Sequence, residues 1–180
     1  MTHSSRLARF ALISAAALSA ACGHMGPMHS MGPKAVAEMA PTQGNATAGS
    51  VMFHQHGDHV RVMVRLSGLK PNAEHGFHIH EKGDCASGDG MGTGGHFNPT
   101  GKPHGPPTGD HHAGDMPALK ADANGKVDTS FAVAGISLGT GAGADVLGRG
   151  LIVHAGPDDY TTQPTGNSGV RIACGVIKLQ

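Results

Sequence analysis

The chain has no tryptophan and a single tyrosine, and aromatic residues make up only 3% of its 180 positions. Charge of either sign is in no surplus: Lys+Arg and Asp+Glu each total 13, so the net charge is zero with neutral histidine. Without a basic excess, nothing points to an electrostatic nucleic-acid surface. Cysteine is scarce, with Cys85 and Cys174 the only two beyond residue 22. Neither has another Cys close by or a His at a familiar ligand spacing, which argues against a thiolate metal site. Long apolar runs are also missing. The stretch that begins Phe10-Ala11-Leu12-Ile13 is too short to span a bilayer stably, and no second one follows it. The Gly-rich run from Gly88 to Gly95 lacks a Lys and a following helix, so it does not read as a phosphate cradle.

Glycine, proline and histidine are abundant instead, at 29, 11 and 14 residues. The first two favour many short strands and turns over long helices. The length suits one domain with a genuine core. Arg6 and Arg9 ahead of the apolar stretch, followed by small residues up to Cys22, make residues 1–21 a secretory signal peptide. Leu18-Ser19-Ala20-Ala21-Cys22 resembles a bacterial lipobox, with Ser19 where Leu is usual, so Cys22 is a candidate lipid attachment point. The expected location is therefore outside the cytoplasm, in the periplasm, with a lipid anchor to a membrane if Cys22 is modified. In that oxidising setting Cys85 and Cys174 are expected to pair, closing a loop of about 90 residues worth on the order of 4 kcal/mol.

Residues 22–46 read as a tether with no helical or strand period. It carries His24, Met25, Met28, His29 and Met31, ligand types that suit copper, so an accessory copper-catching arm stands beside a plain solvated linker. The folded domain is expected over 47–180. Val60, Val62, Val64 and Leu66 alternate with Arg61, Met63, Arg65 and Ser67, a half-buried strand that pairs with Val51–Gln55 through a turn at Gly57-Asp58. Further strands are expected over Val127–Val133 and Val170–Leu179, with long ligand-bearing loops over 82–116 and 155–169. His54, His56 and His59 gather at the hairpin and read as surface turn histidines, with an extra metal site as the alternative.

Seven ligand-type residues stand out: His78, His80, His96, His104, His112, Asp115 and His154. In His78-Ile79-His80 an extended backbone points both imidazoles to one face. His96, His104, His112 and Asp115 fall in one loop and would satisfy tetrahedral zinc. His78, His80 and His154, completed by His96, would give copper four nitrogens. Two cations favour deprotonating an imidazole shared between them.

These residues resemble the copper-zinc superoxide dismutases. The resemblance runs in order through His75-Gly76-Phe77-His78-Ile79-His80, Gly95-His96-Phe97-Asn98-Pro99, His104-Gly105, His112-Ala113-Gly114-Asp115, Val153-His154, Asp158-Asp159 and Gly166-Asn167 to Arg171-Ile172-Ala173-Cys174-Gly175. It implies an all-β fold, a flattened eight-stranded Greek-key barrel or sandwich with long metal-binding and channel loops. It implies one copper and one zinc ion per subunit, with copper on His78, His80, His96 and His154 and zinc on His96, His104, His112 and Asp115. Asp158 would hydrogen-bond His78 and His104 from behind. Arg171 would stand beside the copper and Thr165 would narrow the channel, with Cys85–Cys174 as the family disulfide.

Superoxide would be the substrate, converted to dioxygen and hydrogen peroxide, with His96 releasing copper and taking a proton on reduction. A copper-buffering lipoprotein with secondary dismutase activity is the alternative. No motif selects between a monomer and a homodimer, and none names the copper donor. Unlike the animal members, the chain has no charged residue between Asp159 and Arg171, so steering of the anion would rest on Arg171 and on charges elsewhere, with Lys82 and Lys102 as candidates.

Overall fold

In β3 (His59–Ser67) the side chains of Val60, Val62, Val64 and Leu66 all turn inward and are buried. A period of two on a pleated strand puts every second residue on one face, so this pattern alone fixes which side of the sheet is core. The strand pairs antiparallel with β2 (Ala48–His56), whose Val51 and Phe53 face the same core. The two-residue connection Gly57-Asp58 uses Gly57 at a φ of 56°, as expected for a tight hairpin. The computed structural model describes residue 1 and residues 32–180. The expected signal peptide, Cys22 and the tether residues His24, Met25, Met28, His29 and Met31 lie outside the described residues.

The folded part begins earlier than the sequence pattern suggests. Lys34–Pro41 forms β1, which pairs with β2 along most of its length, so these residues belong to the sheet and not to a tether. Its buried face is Ala35, Ala37 and Met39. Small alanines alternating with Lys34 and Glu38 give a weak hydropathy signal, although they fit where backbones approach closely. The remaining strands are β4 (Glu74–His75), β5 (Phe77–His80), β6 (Leu119–Lys120), β7 (Val127–Ala134), β8 (Gly150–His154), β9 (Arg171–Val176) and β10 (Lys178–Leu179). The only helix among the described residues is one short 3-10 turn, Met91–Thr93.

The main sheet has eight strands in the order β5-β8-β9-β1-β2-β3-β7, with β10 also on β1. All its pairings are antiparallel. The last long strand, β9, returns to lie beside the first, which is the Greek-key crossing. The fold is all-β, a curled sheet around a core that includes Phe53, Phe77, Ile79, Leu151 and Ile177.

At one end of this order β5 would present an open edge, and unpaired strand edges are a liability. Here the long loop between β5 and β6 covers it. Phe97 N–H donates to Ile79 O (2.8 Å), Ile79 N–H to Gly114 O (2.9 Å) and Gly114 N–H to Phe97 O (2.9 Å). The isolated bridges His78–Asp115 and His80–His96 continue the seam. Gly114 is required here because a Cβ at this position would collide with the Ile79 carbonyl.

Cys85 and Cys174 form a disulfide across 89 residues of sequence. It ties the start of this long loop to β9, three residues from Arg171. Thr42 Oγ1–H donates to Arg171 O (2.7 Å) and Gln43 N–H to Gly88 O (2.7 Å), so the turn after β1 also ties β9 and the loop together. Replacing both cysteines by serine should cost about 4 kcal/mol of unfolding free energy by the loop-closure argument. Denaturant titrations of the oxidised protein and the double variant check this, and equal midpoints would contradict it.

Candidate metal centre

β5 is buried on both faces, with Phe77 and Ile79 turned to the core and His78 and His80 to the opposite side. β8 pairs with it so that His78 lies opposite Ile152, and His154, two residues on, emerges on the His78 side. The seam along β5 then brings His96 beside His80 and Asp115 beside His78. Asp115 closes a turn with His112, whose backbone N–H donates to Asp115 Oδ2 at 3.0 Å.

The seven residues form two buried groups. His78, His80, His96 and His154 make one, and His96, His104, His112 and Asp115 the other, each with its ligand atoms within 4.8 Å of one another. His96 belongs to both. Its Nδ1 lies 2.7 Å from Asp115 Oδ1, while Nε2 faces the other three imidazoles. His111 turns away, with Nδ1–H donating to its neighbour's carbonyl (His112 O, 2.6 Å).

The hydrogen bonds behind the rings decide which nitrogen is free. A carbonyl or carboxylate oxygen only accepts, so the ring nitrogen facing it carries the proton and the other presents a lone pair. His80 Nδ1–H donates to Gly94 O (2.9 Å) and His154 Nδ1–H to Gly169 O (3.0 Å). His78 Nε2–H donates to Asp158 Oδ2 (2.6 Å) and His104 Nε2–H to Asp158 Oδ1 (2.9 Å). The opposite nitrogens, His78 Nδ1, His80 Nε2, His154 Nε2 and His104 Nδ1, are buried without a hydrogen bond, as are His96 Nε2 and His112 Nδ1; of these, His104 Nδ1 and His112 Nδ1 face the Asp115 carboxylate at 3.0 and 3.4 Å. Lone pairs converging in this way fit metal ions. The four-imidazole group could hold copper, and the three imidazoles with a carboxylate could hold zinc.

Asp158 thus bridges the two groups from behind, and it also accepts Tyr160 N–H at 2.8 Å. Gly166, at a φ of 65°, packs directly on this bridge, and a Cβ there would overlap the Asp158 carboxylate. His75 serves the framework, donating from Nδ1 to His154 O at 2.8 Å.

A cavity of about 670 Å³ opens onto the four-imidazole group and is lined by His80, His96, His154, Thr165, Arg171 and Asp89 among others. Arg171 is clamped from the loop side: Nη1 donates to Gly90 O (2.6 Å) and Thr93 Oγ1 (2.8 Å), and Nη2 to Gly94 O (2.7 Å). Gly94 O therefore holds both Arg171 and His80. Sequence reasoning missed Thr93 and the Gly90 and Gly94 carbonyls. A backbone oxygen leaves no trace in residue type, and the burial of Thr93 shows only in the fold.

It also missed Gln163, which brackets the His104 backbone with two hydrogen bonds of 2.9 Å. Neither Lys82 nor Lys102, the candidate steering charges, lines this cavity. Lys102 pairs with Asp110 at 3.1 Å and Lys82 lines a separate hollow beside Phe97, so the charged side chains lining the main cavity are Arg171 and Asp89.

Burial pushes His78 down to about 4, only partly opposed by its hydrogen bond to Asp158. It pushes His80 to about 2 and His154 to about 3. Burial works to raise Asp115, but the His96 hydrogen bond and the three surrounding imidazoles hold it at about 2. The His78, His80 and His154 rings therefore stay neutral at neutral pH. An unfolded chain protonates the same histidines below about pH 6.5. Unfolding then takes up protons, and the metal-free protein should lose stability as pH falls from about 6.5 towards 4. The loss should approach 1.4 kcal/mol per pH unit for each of His78, His80 and His154. Denaturation midpoints of metal-free protein between pH 7 and 4.5 check this, and a flat profile would contradict the neutral-ring assignment.

The family model for copper/zinc superoxide dismutase (SODC) matches residues 47–177. Among curated relatives, superoxide dismutase [Cu-Zn] 2 of Aquifex aeolicus (strain VF5) is 41% identical over 150 residues, covering 81% of this chain and 86% of the relative. The superoxide dismutase-like protein YojM of Bacillus subtilis (strain 168) is 39% identical over 145 residues, covering 78% of this chain and 74% of the relative. Among solved structures, a SOD-like protein from Bacillus subtilis superposes with a TM-score of 0.71 at 39% identity, covering 78% of this chain and 96% of that one. The clock protein EA4 superposes with a TM-score of 0.75 at 35% identity, covering 84% and 97%. With more than two thirds of its length matched and its seven ligand-type residues gathered into two groups that share His96, the chain belongs to the copper/zinc superoxide dismutase family.

Proposed function

We propose that the protein is an active superoxide dismutase that binds one copper and one zinc ion and converts superoxide to dioxygen and hydrogen peroxide. The observation that carries this reading is the set of six buried imidazole nitrogens without a hydrogen bond, four of them converging on one another and two on the Asp115 carboxylate, the two groups joined by the His96 ring. His78, His80, His96 and His154 would hold copper, and His96, His104, His112 and Asp115 would hold zinc. Bound copper would supply the one-electron relay, accepting an electron from one superoxide and passing it to the next.

The chain's own residues would do the rest. Arg171 uses three of its five N–H groups on Gly90, Thr93 and Gly94. Its Nε–H and one Nη2–H are left among the described residues to bind an anion, and the guanidinium stays charged at any working pH. Thr165 would narrow the approach. His96 would carry a proton at Nε2 and deliver it to the peroxide product, its ring held in place from the Nδ1 side. Asp158 would keep His78 and His104 in register. Residues 1–21 would direct export, consistent with the Cys85–Cys174 disulfide, and Cys22 would carry a lipid.

A second reading, an exported copper buffer with secondary dismutase activity, is favoured by the Asp89 carboxylate at the cavity mouth. That charge repels an anion and attracts a cation. Turnover separates the two readings. Protein loaded with one copper and one zinc should remove superoxide in a cyanide-sensitive way, and His80→Ala should abolish this. A fully loaded but inactive protein would leave only the buffering reading.

Arg171→Ala should lower substrate capture by roughly tenfold or more and flatten its salt dependence, with copper retained. Asp89→Asn should raise capture at low ionic strength, because Asp89 opposes the same anion. Rates measured across a salt series for both variants test this pair of roles. Unchanged rates in Arg171→Ala would refute its role in capture.

A further inference from the structure

A second cluster of histidines lies away from the buried centre, separated from β5 by β8, β9 and β1 in the sheet order. His54 and His56 are two apart on β2, on the face opposite the buried Val51 and Phe53. His59 on β3 is the cross-strand partner of His56. The His54 and His56 ring centroids are 4.2 Å apart and those of His56 and His59 5.9 Å apart. In the four-imidazole group of the buried centre ring separations run from 4.0 to 6.4 Å and the ligand atoms all lie within 4.8 Å of one another. The three hairpin rings do not converge that far as they stand, so binding an ion there requires the exposed His56 and half-exposed His59 rings to turn inward.

One of these three rings is held from behind, by an exposed carboxylate where the buried centre uses buried acceptors. His59 Nδ1 lies 3.1 Å from Asp58 Oδ1, which leaves Nε2 free. His54 Nε2 is buried with no hydrogen-bond partner. A carboxylate or carbonyl that fixes one ring nitrogen and frees the other is the usual support for a metal-binding imidazole. His56 is exposed at the end of β2 and can turn between the other two. Lys34 and Arg61 sit opposite His54 on the neighbouring strands, and Arg61 is drawn aside to Ser130 Oγ at 3.0 Å. These two cations make the surroundings positive, so binding must be carried by coordination to nitrogen and not by charge.

We propose that His54, His56 and His59 form a second, surface metal site for a divalent ion that prefers imidazole nitrogen, with Cu(II) bound most strongly. Cu(II) leads the divalent first-row series on nitrogen ligands. Three protein ligands leave positions open to water, so this site exchanges its ion with solvent while the buried pair does not. Nothing in it depends on the dismutase reading, because it shares no residue with the buried centre.

The test uses the full mature chain with its buried centre already filled by one copper and one zinc. Adding Cu(II) under equilibrium dialysis should load one further ion per chain, with nitrogen hyperfine structure in the electron paramagnetic resonance spectrum. The double variant His56→Asn/His59→Asn should lose that ion and keep its thermal midpoint and dismutase rate. His24→Ala/His29→Ala, in the segment before β1, should keep it. Asp58→Ala leaves all three imidazoles in place and should weaken binding roughly tenfold by freeing the His59 ring. No further ion in the native chain, an ion that persists unchanged in the hairpin variant, or one lost with the residue 24 and 29 substitutions would each overturn the proposal.

Discussion

Six imidazole nitrogens buried without a hydrogen-bond partner are the constraint on which the rest of this structure turns. Each unsatisfied buried polar atom costs about 1–3 kcal/mol, so together they approach the whole net stability of an ordinary domain. A protein keeps such groups only where something else satisfies them. Their placement is not loose. Acceptors behind His78, His80, His104 and His154 set the tautomers, and one carboxylate, Asp158, serves two of these rings. The lone pairs thus point inward whether or not an ion is present.

The scaffold carries that cost through its own packing. A continuous antiparallel sheet supplies three of the seven residues from adjacent strands, β5 and β8, where backbone pairing leaves little freedom. The other four come from a long loop that would be mobile on its own. Its attachment along the β5 edge and its disulfide to β9 convert it into part of the framework. The same loop clamps Arg171 with two carbonyls and a hydroxyl, so cavity wall and ligand sphere are one piece. Gly94 O couples His80 to Arg171 directly. A shift of this loop would disturb metal affinity and anion binding together.

The strand over His59–Ser67, the pairing of Cys85 with Cys174 and the two ligand groups were legible in the sequence, because each has a strong local or chemical signature. Alternation of Val with Arg marks a half-buried strand, and His-X-His in an extended run has one geometric meaning. β1 escaped because its inward residues are mainly alanines, too small to register as a hydrophobic period. The Arg171 clamp escaped because carbonyl oxygens belong to every residue. Lys82 and Lys102 were steering candidates by sign alone, and only the fold shows that they lie beside a different hollow and against Asp110, off the lining of the cavity. Distances across folded space, not residue types, decided each of these cases.

The central claim is that one ring, His96, serves two cations at once. Anomalous diffraction from crystals of the copper- and zinc-loaded protein, collected on either side of the copper and zinc absorption edges, tests it most directly. The account predicts copper among His78 Nδ1, His80 Nε2, His154 Nε2 and His96 Nε2, and zinc on the Nδ1 side of the same His96 ring with His104, His112 and Asp115. A single metal, or two ions with no ring between them, would contradict it.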